Sequence, residues 1–407
     1  MNLNGSPWQF SAPPELHAFF NLVLTKPDLQ RRLAPIAEAD AFTKEAIKVA
    51  AEAGIALNSA QIANLMRPDP LGLGRFAAAP ITCTGWPPAG WMPTRSVPTD
   101  GAPAFDWLYV GDRPLLQSFF EDEVRIAGAL PFNRLFRIRT TMDAVIVGAE
   151  GEAALPLQGL IYHMSRCGST LLAQMLAAVP EIAVSSEPEP LDGVISWARM
   201  NQIDEERAII ALRAIVAAIG RDRGTGAQRH IIKLDAWHAF SFPLLRAAFP
   251  AVNWVHLYRN AAEVMVSTMR QPGVHTAPGM LPESITGFSL DDSMTHEEFA
   301  ARVLAGIGQS IIEHMDVGGG MVVAYPDIIA AAIGPITSHF SLSLDDRNVA
   351  AMLAPTQKDV KDVSQSFSDD STFKQNVAAE SDKILMAVER WMIPVEQELQ
   401  RLSLNAD

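Results

Sequence analysis

Cysteine is scarce: Cys83 and Cys167 are the only two in 407 residues. They lie far apart without zinc-type spacing, which excludes a disulfide framework and fits a reducing cytoplasm. No apolar run approaches the roughly 20 residues that a membrane helix needs. The opening MNLNGSPWQF lacks a basic segment followed by an apolar core, so no signal peptide is expected. Positive charge is outnumbered, 32 Lys and Arg against 46 Asp and Glu, for a net charge of −14. Such a surface repels phosphate backbones, which excludes a general nucleic-acid binder but not a local basic pocket for one nucleotide. Charged residues make up 19% and hydrophobic ones 48%. That is too apolar for disorder, and it suffices for one large core plus a smaller unit.

What is there divides into three stretches. Residues 1–66 read as a small helical domain. Leu16, Phe19, Phe20 and Val23 form one apolar stripe, Lys26-Pro27 punctuates it, and Phe42, Ala46, Ile47 and Ala50 mark a second helix that Gly54 ends. Asn58-Ser59 supplies a cap for a third. Residues 67–104, rich in Pro and Gly around Trp86 and Trp91, read as an extended linker. Residues 105–407 read as the main domain. Phe105–Ile126 reads as helical and Leu135–Val147 as holding a strand. From Leu157 strand and helix patterns alternate. The strands fall at 160–162, 230–234, 254–258 and 321–324, with helices near 171–176, 203–219, 241–249, 261–270 and 295–315. Ile209, Ile210 and Ile215 point inward on the second of these helices, and Thr295 with Glu298 caps the last. The alternation predicts an α/β fold, a parallel sheet covered by helices on both faces, with its ligand at the strands' carboxyl ends.

One segment carries chemistry. Residues 162–170, YHMSRCGST, follow a strand and open a helix. Free amides and the helix dipole there favour an anion. Gly168 allows close backbone approach, Ser169 and Thr170 offer hydroxyls, and Arg166 adds a fixed charge. The nucleotide-triphosphatase pattern G-x-x-x-x-G-K-[ST] is not met. Its first Gly is missing, and Ser169 stands where its Lys would be.

The loop resembles the 5′-phosphosulfate loop of the sulfotransferase family, above all its bacterial and tyrosyl-protein branches, which read P-[RK]-S-G-[TS]-T-L. Ser165 replaces the common Pro and Cys167 the common Ser. The resemblance implies 3′-phosphoadenosine 5′-phosphosulfate (PAPS) as donor, held by Ser165, Arg166, Cys167, Gly168, Ser169 and Thr170. It implies a second anchor at Arg259 and Ser267, a strand-ending Arg followed eight residues later by a helix Ser, for the 3′-phosphate. Glu187 falls at the place of the proposed catalytic base, with Glu189 as competitor. Lys233, at a strand's end, would offset charge on the leaving oxygen. No metal is implied, and the acceptor is a hydroxyl on a small molecule or peptide.

Lesser positions complete the picture. Tyr325-Pro326-Asp327-Ile328 resembles a family segment near the nucleotide, and Lys374 a residue near the donor phosphate. His163, His238 and His256 lack metal-like spacing and read as core or surface groups. Residues 271–294 read as a lid or acceptor-binding loop. Pro394 must bend or break the terminal helix. Residues 14–66 resemble the leader-like domain of the nif-eleven type, through ELHAFF, Lys26-Pro27-Asp28-Leu29, Phe42 and Ala53-Gly54. That resemblance implies recognition of a peptide or protein partner. Two alternatives stay open: an ATP- and magnesium-dependent phosphotransferase, for which Asp235 would hold the metal, and a non-catalytic nucleotide-binding adaptor.

Overall fold

The computed structural model describes residues 8–9, 12–66, 79–99, 103–289, 291, 293–357 and 381–403. Lys374 and the segment around it lie outside these residues. Among the described residues, no helix is long and apolar enough to cross a membrane.

Among the described residues, ten strands form two five-stranded sheets. The first contains β1 (Trp8–Gln9), β2 (Ile81–Cys83), β3 (Trp91–Val97), β4 (Ala104–Tyr109) and β5 (Ile138–Thr141), in the order β1-β2-β5-β4-β3. The second contains β6 (Leu157–His163), β7 (Ile182–Ser186), β8 (Arg229–Lys233), β9 (Asn253–Tyr258) and β10 (Gly320–Ala324), in the order β10-β9-β6-β8-β7. All four pairings in the second sheet are parallel.

Period-two alternation explains why both faces of this sheet are covered. Leu160, Tyr162, Ile232 and Trp254 join one core, with helices Glu189–Arg199, Glu205–Ile219, Phe242–Ala248 and His296–Ile312. Ile161, Ile231, Val255 and Leu257 join another, with helices Ser169–Ala177, Ile328–Ala332 and Asp346–Leu353. Ile210 departs from expectation. It is exposed, while Ile215 is fully buried. Because β6 lies between β8 and β9, the chain's crossovers diverge at its carboxyl end. That opens the crevice where such sheets bind ligands.

The stretch read as a linker instead holds β2 and β3, and Phe105 lies in strand β4 rather than a helix. Trp91, Trp107, Phe132 and Phe136 are all buried. Trp91 meets Tyr109 edge-on with ring centroids 5.6 Å apart. The first helices dock on this aromatic core through Phe19 against Phe136 (6.0 Å) and a hydrogen bond from Trp91 Nε1 to Gln30 Oε1 (3.1 Å). Packing of large rings overrides the local bias of Pro and Gly. Capping followed the sequence. Asn58 and Gln61 form a reciprocal cap, and Thr295 accepts from the Glu298 amide at 3.1 Å. Before Pro394 the terminal helix passes through a π-turn at Val388–Met392, where the proline's missing amide is accommodated.

Candidate active site

Between β6 and the helix Ser169–Ala177 the backbone takes three left-handed steps, at Ser165 (φ 71°), Arg166 (φ 51°) and Gly168 (φ 84°). Non-glycine residues adopt this region only where surrounding contacts hold them. His163 supplies one such contact. Its Nδ1 accepts from the Ser165 amide at 3.1 Å, so Nε2 carries the proton and donates to the Leu234 carbonyl at 2.9 Å. Gly168 caps the helix with no side-chain partner for the first amides. A Cβ there would lie 2.8 Å from both Tyr325 and Ile328. Successive amides in such a turn, feeding a helix N-terminus, make a concave anion site.

The loop opens on a cavity of about 490 Å³ lined by Ser165, Arg166, Ser169, Thr170, Glu187 and Lys233. These come from the ends of β6, β7 and β8, which the parallel register brings to one edge: Ile161 pairs with Lys233, and Ser186 with Lys233. Lys233 is fully buried, and its Nζ contacts Glu187 Oε1. Glu187 itself sits at φ 57° and donates its amide to the Lys233 carbonyl at 2.7 Å. Burial pushes the Glu187 carboxyl up, but Lys233 and His163 outweigh it and hold the group well below the usual carboxylate range. Glu187 is therefore a charged carboxylate in the same cavity as the loop Ser165–Gly168. Glu189, the competitor, is spent elsewhere: it accepts from the Ser96 amide (2.5 Å) and hydroxyl (2.6 Å). Arg166 donates to the Gln271 carbonyl, tying the loop to the next wall.

Cys167 lies outside the cavity lining. Its thiol is buried and donates to the Leu257 carbonyl at 3.2 Å, and burial pushes its pKa up to about 11, so it remains a protonated packing group. Arg259 and Ser267 also lie outside the cavity lining; Arg259 follows β9 at the same edge of the sheet as the loop. The Arg259 guanidinium lies 3.9 Å from the Tyr325 ring centroid, and that ring is the one Gly168 packs against. Arg259 Nε donates to Glu263 Oε2 at 2.5 Å, with both side chains buried. Glu263 and Ser267, four residues apart, share one side of the helix Ala261–Arg270, and Arg259, just before its cap Asn260, reaches Glu263. The sequence reading did not single out this carboxylate; only the fold shows it meeting Arg259 in the interior.

Other residues at the cavity were read differently or passed over. His163 orders the phosphate loop. Asp235, Trp237, His275 and Phe119 all line the cavity. Burial first, then Glu187 and Asp192, push the Asp235 carboxyl well above its ordinary value. Asp192, Asp235 and His238 place ligand-type atoms within 4.8 Å of one another, although sequence spacing set them apart. His238 Nε2 and Trp237 Nε1 are within hydrogen-bond reach of Asp192 Oδ1, at 3.0 and 2.8 Å. Nothing in local sequence marks Phe119, whose pattern is that of a core helix.

The sulfotransferase family model matches residues 160–335, the segment that carries β6 through β10 and every loop just described. No curated protein matches the chain. Among solved structures, the chain is similar to the sulfotransferase domain of the Synechococcus PCC 7002 olefin synthase, with 15% identity and a TM-score of 0.34, covering 62% of this chain and 95% of that one. It is similar to sulfotransferase STF1 from Mycobacterium tuberculosis H37Rv, with 13% identity and a TM-score of 0.36 over 67% and 85% of the two chains. It is also similar to mouse sulfotransferase SULT7A1, solved in complex with PAP, at 11% identity and a TM-score of 0.32 over 64% and 90%.

Proposed function

We propose that the protein transfers a sulfuryl group from PAPS to an acceptor hydroxyl. The observation that carries this reading is the Lys233–Glu187 pair facing the left-handed amide loop across one cavity. The loop amides with Arg166, Ser169 and Thr170 hold the phosphosulfate end. Arg259, near the same Tyr325 ring, and Ser267 hold the 3′-phosphate, with Glu263 yielding the guanidinium to it. The acceptor oxygen bonds to sulfur as the sulfur–oxygen bond to the 5′-phosphate breaks. Lys233 moves to the departing bridging oxygen and offsets its charge. Released from its ion pair, Glu187 gains proton affinity and takes the acceptor's proton.

The ATP-dependent alternative rests on one specific observation, Asp235 beside Asp192 and His238 at the cavity wall. Incubation with radiolabelled PAPS and a panel of hydroxyl acceptors separates the readings. Label transferred by the wild-type protein and lost in Glu187→Gln supports sulfuryl transfer. Phosphoryl transfer from ATP with magnesium, abolished by Asp235→Asn, would refute it.

A further inference from the structure

The cavity has walls that the donor reading does not use. Phe119, Trp237 and His275 all face it and come from three separate segments. Phe119 precedes the helix Phe120–Gly128 and lies outside the matched residues 160–335. Its ring centroid lies 5.3 Å from Lys233 Nζ. Trp237 follows β8, and Asp192 fixes its indole at 2.8 Å. His275 sits in a turn that Thr276 closes onto Gly273 (3.0 and 3.1 Å) and that His296 braces at the Thr276 carbonyl (3.0 Å). The Trp237 and His275 rings pack with centroids 5.5 Å apart.

His275 is 6% exposed, yet among the described residues neither ring nitrogen has a hydrogen-bond partner. A buried polar group without a partner is costly, and unlike the equally unpartnered His256, His275 lines the cavity, where a ligand can complete it. Glu187, Arg166 and His163 are the charged and titratable groups that act on this ring, so it stands at the reacting end of the cavity. Rigid rings fixed from behind, with one polar group among them, are how pockets orient a flat ligand.

We propose that Phe119, Trp237 and His275 form the acceptor subsite, and that it takes a hydroxyl borne on an aromatic ring. The acceptor ring lies against Phe119 and Trp237, and the His275 imidazole hydrogen-bonds the acceptor. This rests on the sulfuryl-transfer reading above.

The test is calorimetry on the full chain saturated with adenosine 3′,5′-bisphosphate, titrated with 2-naphthol and with its fully saturated analogue, decahydro-2-naphthol. The expected result is at least ten-fold tighter binding of 2-naphthol. Phe119→Ala and His275→Phe should each weaken it about ten-fold while bisphosphate affinity stays unchanged. Equal binding of the two alcohols by the wild type, or full 2-naphthol affinity in both variants, overturns the subsite and leaves the donor reading standing. Absence of bisphosphate binding by the wild type instead overturns the donor reading, and the subsite with it. Should one variant lose bisphosphate affinity, the other variant and the wild-type comparison decide.

Discussion

Lys233 is a cation with no exposure to water, and Glu187 is the carboxylate that makes this tolerable. Removing one partner of a buried pair strands the other. Lys233→Met should therefore cost about 3–5 kcal/mol in urea unfolding and lower turnover at least 100-fold by removing charge stabilisation at the leaving oxygen, as loss of one such donor does. Joining it with Glu187→Leu should restore most of the stability and none of the activity. A double variant no more stable than Lys233→Met would contradict the pairing. Both residues were named in the sequence through the family resemblance, and the structure brings them into contact. Glu263 was not: its contact with Arg259 is local, but only the folded helix shows that the two side chains meet in the interior. His275 was equally hidden, since neither its burial nor its missing partners leave a mark on spacing.

At the scale of elements, the turn into the first helix of the parallel sheet depends on Gly168. Its φ of 84° disfavours any side chain, and an added methyl would meet Tyr325 and Ile328 at 2.8 Å. Gly168→Ala should weaken adenosine 3′,5′-bisphosphate binding more than ten-fold, read by calorimetry. Unchanged affinity would show that the turn does not shape the site. Strand β7 (Ile182–Ser186) was not among the expected strands, whereas β6, β8, β9 and β10 were readable because periods of two and near four switch cleanly around them. Strands β2 and β3 were not, because Pro and Gly dominate their surroundings and the decisive force is tertiary. Trp91 is fully buried between Tyr109 and Phe132 and is hydrogen-bonded to Gln30. Trp91→Ala should cost about 3–5 kcal/mol by chemical denaturation and loosen the first helices from the sheet. A cost below 1 kcal/mol would mean that the stretch is the linker its composition suggests.

The whole molecule holds several histidines neutral. Burial lowers His230 to about 4, with Arg223 adding to it, His256 to about 3, with His163 adding to it, and His275 to about 4. In the unfolded chain each takes up a proton near pH 6.5. Between that pH and about 4 the unfolded state therefore binds more protons, and stability falls as pH falls. The urea midpoint should drop on going from pH 7 to pH 5, and a flat profile across that window would contradict the burial of these rings. The same architecture that buries them brings Gly168 and Arg259 against one ring, Tyr325, at one edge of the sheet. A doubly phosphorylated adenosine reaching both is the central claim. Calorimetry with adenosine 3′,5′-bisphosphate and with ATP plus magnesium, on the wild type and on Arg259→Ala, tests it most directly. The account predicts at least ten-fold tighter binding of the bisphosphate and loss of that preference in the variant. Tighter binding of ATP, or a bisphosphate affinity indifferent to Arg259, would contradict it.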